Sequence, residues 1–465
     1  MRDPLPEPSV TEGALPPEPL SHSLKQRHLT MLGLGGVIGA GLFVGSGAGI
    51  GIAGPAIICS YLLAGALAML VMRALGEMSA AMPASGSFSV YAEKALGRWA
   101  GFSAGWLYWF LLVVVLAVEA TGAAKIAHGW LPSVDQWVWV LAFMVVFTLT
   151  NLAAVRNFGE FEFWFAALKV GAIVLFLILG TLAVFGLLPD SEPVGLANLS
   201  GHGGFFPQGM GGVVAGMLAV VFAFGGLEVV TIAAAESDDP ARSVSRAVRS
   251  AVWRILFFYV GSMLVIVTLL PWDSLEPGQS PYVAVLDSIG IPAAGQIMNI
   301  VVFVALLSAL NANLYGSSRM VFSLAERGEA PKALLKVSGG GVPRRAVLAS
   351  VVFGFVSVVL NLLWPDTVFL YMLNAVGAVL LFVWALIAVS QLRLRPRLER
   401  EMPERLTLPM WAFPYLTWAA LLGMAAVLVL MLFDDSARPQ LLWSSGAAAV
   451  VLLVAGYREV RARWG

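Results

Sequence analysis

Apolar runs longer than the roughly 18 residues that cross a bilayer recur along this 465-residue chain, and no other feature narrows its possible folds as much. Lipid offers a peptide backbone no water to bond, so each run must close its own hydrogen bonds as a helix. About twelve such spans can be counted, centred near residues 40, 65, 112, 146, 172, 222, 260, 300, 353, 380, 421 and 448. With 59% hydrophobic and 12% charged residues, the chain has far more apolar surface than a water-soluble core needs. The fold class expected is an all-α polytopic membrane protein.

The charges between the runs give an orientation. Lys25 and Arg27 precede span 1, Lys94 and Arg98 follow span 2, and Arg156 follows span 4. Arginines 242, 246 and 249 follow span 6, and further basic clusters follow spans 8, 10 and 12. The opposite loops hold Asp190, Glu192, Asp273, Glu276, Asp366, Asp434 and Asp435. The positive-inside rule therefore places both termini in the cytoplasm, as an even number of spans requires. Residues 1–22 carry six prolines among acidic and polar residues, with no apolar core of the signal-peptide kind, and read as a disordered cytoplasmic tail. One cysteine, Cys59, excludes a disulfide framework.

Glycine is crowded into the first span, GGVIGAGLFVGSGAGIG, Gly35 to Gly51. Small residues at four-residue spacing can mean tight helix packing. Gly39-Ala40-Gly41 is denser than packing requires, however, and span 6 has its own interruption in FAFGGLEVV at Gly225 and Gly226. Each interruption opens a block of five spans, about 185 residues apart, which is the pattern of inverted repeats with discontinuous helices meeting at mid-membrane. An interrupted helix presents unpaired amides on one side of the break and unpaired carbonyls on the other. A small zwitterion would satisfy both, its carboxylate on the amides near Ala40 and Gly41 and its ammonium on carbonyls near Ile38, Phe222, Ala223 and Gly225. Gly39, Gly41, Gly225 and Gly226 would let the backbone approach closely and adopt dihedrals that other residues resist.

The stretches LKQRHLTMLGLGGVIGAGLFVGSG, AGPAIICSYLLAGALAMLVMRALGEM, GSFSVYAEKALGRWAGFSAGWLYW, GEFEFWFAALKV and FGGLEVVTIAAAESDDP resemble those of amino acid permeases of the amino acid, polyamine and organocation superfamily. Within it the chain is similar to the bacterial amino acid transporter family, especially gamma-aminobutyrate permeases. The resemblance runs from about residue 24 to the last span. It implies a leucine-transporter-like five-plus-five inverted repeat with discontinuous helices 1 and 6 and two added helices. The expected divisions are 23–190 and 191–395 for the two repeats and 396–465 for helices 11 and 12. It also implies proton-coupled amino acid uptake by alternating access in a bacterial cytoplasmic membrane, with the substrate between spans 1 and 6.

Charges inside spans are costly and therefore candidate functional groups. Lys169 lies well inside span 5, nearly two helical turns from Glu162. Pairing with Glu160 or Glu162, or reaching for the interface, is the structural alternative. Burial makes the charged form of a lysine costly, so that a proton can be loaded and unloaded there. In proton-driven members of the superfamily a lysine at the matching place replaces a bound sodium ion, so the resemblance implies that Lys169 carries or senses the coupling proton and contacts the span 1 backbone. Glu228, just past the span 6 break, either titrates with substrate entry or hydrogen-bonds freed backbone and fixes the kink. Phe222 matches the aromatic gate of relatives, with a packed core phenylalanine as the alternative. Span 3 faces the substrate in this fold, and gamma-aminobutyrate permeases carry a glutamate matching Glu119. There a carboxylate would read a distal amine or a basic side chain, unless it merely pairs with Lys125 or Arg319. Asn311 and Asn313 in span 8 are either cavity-lining or interhelical. Arg73 and Glu77, four apart, read as a structural pair.

An enzyme is not expected. The four histidines, His22, His28, His128 and His202, fall at span ends, in loops or in the tail, and form no metal or hydrolase constellation. No cofactor is implied; the proton is the coupling ion, and the partners are an amino acid and membrane lipid. The basic loops are explained by topology and do not imply nucleic acid. An exchanger without proton coupling, or a permease for neutral or cationic alpha-amino acids, is the alternative reading. Composition and motifs leave the oligomeric state open.

Overall fold

A computed structural model describes residues 31, 37–84, 86–153, 158–189, 192–229, 231, 240–275, 279–338, 341–433 and 438–464. The expected tail, Lys25, Arg27, Arg156, His22 and His28 lie outside the described residues, as does the glycine run before Val37.

Among the described residues the apolar runs are helical apart from breaks in the first and the sixth. The first run holds two short helices, α1 (Ala40–Phe43) and α2 (Gly45–Ala53), and continues into α3 (Ile57–Ala81). A short α4 (Ser87–Leu96) leads to α5 (Arg98–Trp130), followed by α6 (Gln136–Ala153) and α7 (Phe158–Val184). Next come α8 (Gly209–Phe224), α9 (Pro240–Leu269), α10 (Pro281–Ser288) and α11 (Ala294–Glu326). The chain ends with α12 (Arg344–Leu363), α13 (Val368–Glu401), α14 (Tyr415–Phe433) and α15 (Arg438–Trp464).

Every expected span centre falls in one of these helices. Among the described residues, nine helical stretches are long and apolar enough to cross a membrane, and Gly209–Phe224 and Ile255–Leu269 are shorter apolar helices. The stretch Gly45–Ala81 runs through the first two expected spans as one, and Gly209–Phe224 is only 16 residues long because it stops at the second break. Apolar side chains on the outer helices face outward: Leu149, Trp164, Leu175, Val352, Leu422 and Trp443 are all exposed, the pattern of a surface solvated by lipid. The chain is thus an all-α polytopic membrane protein.

The core is organised around α5, which at 1.5 Å per residue is about 50 Å long and is buried over most of its length. It packs against α11, α13, α4, α6 and α12, while α8 packs on α2 and α3. At the basic-loop end, buried Glu77 on α3 accepts hydrogen bonds from Gln391 Nε2 (2.9 Å), from Arg395, and from the Met410 amide. Arg73, the partner expected for Glu77, donates Nε to the Pro409 carbonyl at 2.9 Å and lies over the Trp411 ring. Both side chains thus pin the segment that precedes α14 to α3.

Candidate functional site

The two glycine-marked interruptions meet in the interior. In the first run, Val37 to Gly39 are not helical, and Gly39 is extended at φ −148° and ψ −146° before α1 begins at Ala40. In the sixth, α8 stops at Phe224; Gly225 is extended, and Gly226 has φ +99°, a conformation that favours glycine. The breaks touch. A Cβ on Gly41 would lie 2.7 Å from Ala223 Cα and 2.9 Å from Phe222 Cδ1, so only a glycine lets the two backbones come this close. Tyr259 on α9 fastens them, its hydroxyl 3.1 Å from the Val37 carbonyl oxygen and 3.0 Å from that of Ala223.

Glu119 reaches this junction from the middle of α5. The Ala40 amide donates to both of its carboxylate oxygens, at 3.0 and 3.1 Å. A helix start carries unpaired amides and a partial positive charge, and an anionic oxygen there is stabilising. A Cβ on Gly39 would run into the Glu119 carboxylate and lie 3.0 Å from Ala309 Cβ of α11, which explains why glycine precedes Ala40. Of the partners considered for Glu119, Arg319 instead lies over the Tyr315 ring with Nη1 3.2 Å from Ser318 Oγ.

Lys169 on α7 is fully buried, with Nζ 3.9 Å from Glu162 Oε1 and within electrostatic reach of Glu119. Glu162 in turn accepts the Ser308 hydroxyl of α11 at 3.0 Å. Glu228 is also fully buried. It accepts Trp384 Nε1 from α13, the Gly226 amide at 3.0 Å and the Tyr108 hydroxyl of α5 at 3.3 Å. It therefore binds freed backbone at the second break and ties it to two neighbouring helices.

Glu119, Gly41, Phe222, Gly225, Gly226 and Asn313 line one small cavity of about 20 Å³, together with Val37, Leu111, Leu112, Val115 and Val376. Ile38, Ala40 and Ala223 flank it in the chain, whereas Gly39 packs against Glu119 and Ala309. That volume is on the order of a single water molecule, so an amino acid requires the surrounding helices to part. A larger cavity of about 590 Å³ opens where α5, α11 and α13 have their acidic-loop ends, lined by Lys125, Gln136, Asp287, Asn299 and Asp366 among others. Of the two span 8 asparagines, Asn313 reaches the small cavity, and Asn311 Oδ1 accepts Asn151 Nδ2 of α6 at 2.7 Å, so one lines and the other bridges.

Tyr108, Tyr259, Trp384 and Ser308 were not singled out from sequence. A tyrosine or tryptophan in an apolar span carries one polar atom that must find a partner when buried, which was the available signal. Among the described residues no group of three or more His, Cys, Asp or Glu side chains is placed to hold a metal ion.

Comparison with known proteins agrees with this architecture. The chain is 51% identical over 434 residues, 93% of its own length and 92% of the relative's, to a gamma-aminobutyric acid permease of Bacillus subtilis. It is likewise 51% identical over 427 residues, 91% of its length and 92% of the relative's, to the aromatic amino acid transport protein AroP of Corynebacterium glutamicum. Among solved structures, the Eremococcus coleocola manganese transporter matches with a TM-score of 0.58 and 14% identity over 92% of each chain, a likeness of fold alone. With the amino acid permease family matched across residues 28–457, the chain belongs to that family, within the amino acid, polyamine and organocation superfamily, and is a transporter, not an enzyme.

Proposed function

We propose that this protein is a proton-coupled amino acid importer of the bacterial cytoplasmic membrane, working by alternating access, with gamma-aminobutyrate or a related amino acid as substrate. The observation that carries the reading is the junction of the two breaks, where Glu119 sits on the Ala40 amide beside Gly41, Phe222 and Gly225. In this reading residues 23–190 and 191–395 form two five-helix repeats, with 396–465 adding helices 11 and 12 and both termini cytoplasmic.

Glu119 refines how a zwitterion would bind. The Ala40 amide carries an internal carboxylate, so a substrate carboxylate either displaces Glu119 or uses the neighbouring Gly41 amide with Glu119 left to meet the substrate amine. Protonation of Glu119, or its withdrawal toward Lys169, would free the helix start, which links substrate entry to a proton. Phe222 closes over the site, and Glu228 holds the second break. The supporting resemblance is to gamma-aminobutyric acid permeases, but the AroP relative keeps aromatic amino acids as the competing substrate class.

The test is reconstitution into proteoliposomes. An imposed inward proton gradient should drive accumulation of gamma-aminobutyrate in the wild type, and Lys169→Met should depress this net uptake far more than counterflow. Counterflow without gradient-driven accumulation in the wild type would favour the exchanger. Accumulation of phenylalanine or tyrosine in place of gamma-aminobutyrate would favour the aromatic substrate class.

A further inference from the structure

Three ionisable side chains lie together in the interior: Glu119 from α5, with Lys169 and Glu162 from α7. They are 3%, 0% and 1% exposed, so bulk solvent does not screen them. Two carboxylates and one ammonium sum to one negative charge, and buried charge is tolerated only when balanced. One additional proton makes the trio neutral. The group therefore has room for one mobile proton, and two carboxylates that could accept it.

The surroundings of the two acceptors differ. Glu119 faces the break and the small cavity, whereas Glu162 lies seven residues nearer the start of α7 and accepts the Ser308 hydroxyl. One turn further along α11, Asn311 is hydrogen-bonded to Asn151, close to the end of α6. Glu162, Ser308, Asn311 and Asn151 thus place polar groups on α7, α11 and α6 between Lys169 and the basic-loop end. Polar groups inside a membrane protein mark ion pathways by default.

Resting on the proton-coupled reading above, we propose that Glu162 is the inward station of the coupling proton, which passes from Glu119 through Lys169 to Glu162 and leaves along this polar row. The transfer needs no other reactant. Lys169 Nζ–H gives its proton to a Glu162 oxygen, leaving a neutral amine and a carboxylic acid; the amine then takes the proton from the Glu119 O–H, leaving an ammonium and a carboxylate. The net change is one proton moved from Glu119 to Glu162. The Nζ to Oε1 distance of 3.9 Å must close by about 1 Å for a charge-assisted hydrogen bond, within the reach of a flexible lysine stem.

The experiment uses the full-length protein in liposomes loaded with a pH-sensitive dye, measuring substrate-driven proton entry, net gamma-aminobutyrate uptake and counterflow. Glu162→Gln keeps the shape and an acceptor for Ser308 but cannot carry the proton. Its ratio of net uptake to counterflow should fall on the order of a hundredfold, the lower end of what a positioned proton-transfer group contributes. Glu162→Asp should recover part of that ratio. Should Glu162→Gln not fold, Ser308→Ala carries the test, with a lowered ratio expected. An unchanged ratio, or equal loss of both modes, would overturn the role of Glu162. Absence of substrate-driven proton entry in the wild type would instead overturn the coupled reading on which it rests.

Discussion

The carboxylate of Glu119 on α5 receives the Ala40 amide at the start of α1 through both oxygens, at 3.0 and 3.1 Å. The two residues are 79 positions apart, and neither could satisfy its partner's need alone. A broken helix inside lipid leaves amides that cost free energy, and a buried carboxylate needs donors. Each removes the penalty of the other.

Glu119→Gln keeps the shape but replaces the charge-assisted bond with a neutral one and puts an amide donor near the Ala40 N–H. Hydrogen bonds to charged groups contribute about 1.5–3 kcal/mol, so net uptake should fall by roughly tenfold to a hundredfold. Radiolabelled uptake into cells, normalised to membrane expression, measures this. Wild-type uptake at wild-type expression would show that the Glu119 charge is dispensable.

The glycines should separate by what stands opposite them. Gly41→Ala would press against the Ala223 backbone, which cannot yield, and should cost about 1–3 kcal/mol, read as a lowered melting temperature in detergent. Gly39→Ala meets a movable carboxylate, so transport should suffer more than stability. Among the described residues nothing stands within 4 Å of a Cβ on Gly51, and Gly51→Ala should be as stable as the wild type or slightly more so.

Two neighbouring tyrosines should respond oppositely to loss of the hydroxyl. Tyr259→Phe frees the Val37 and Ala223 carbonyls that the hydroxyl holds together and should destabilise by about 1–3 kcal/mol. Tyr61, whose ring centroid is 6.0 Å from that of Tyr259, buries a hydroxyl that has no hydrogen-bond partner among the described residues. Tyr61→Phe should therefore leave the melting temperature unchanged or raise it. Equal losses in both variants would mean that the ring packing matters and the hydroxyl does not.

How much of this was legible in sequence follows from what a bilayer demands. Apolar length marks a span because lipid forces helix formation on any such run, and FAFGGLEVV marked the second break because Gly226 needs a positive φ. The partners of Glu119 were not legible. A helix apolar on all sides, such as α5, has no polar face to show which neighbour a side chain meets, so Lys125 and Arg319 stood as its candidate partners and the span 1 backbone, expected to meet Lys169, did not. For the same reason Trp384, 156 residues from Glu228, carried no mark of that contact. Glu162 was visible only as a partner for Lys169; its bond to Ser308, 146 residues away, depends on how α7 and α11 pack.

A pH-dependent contribution to stability should come from Glu329, in the turn that follows α11 and outside its apolar run. Burial pushes its carboxyl above the ordinary carboxylate range, and the Arg327 guanidinium, with Nη2 at 3.0 Å, opposes that shift without cancelling it. Arg458 of α15 holds the same turn from outside, donating to the Gly328 and Glu329 carbonyls at 2.7 and 2.8 Å. Because the folded protein binds this proton more tightly than the unfolded chain, the resulting stabilisation is complete below the unfolded value of about 4.3. It is lost as pH rises through the higher folded value. Glu329→Gln has no proton to lose there. Melting temperatures in detergent, compared from about pH 4 to pH 8, should therefore decline more in the wild type than in Glu329→Gln. Parallel profiles would mean that the ion pair with Arg327 offsets the cost of burial in full.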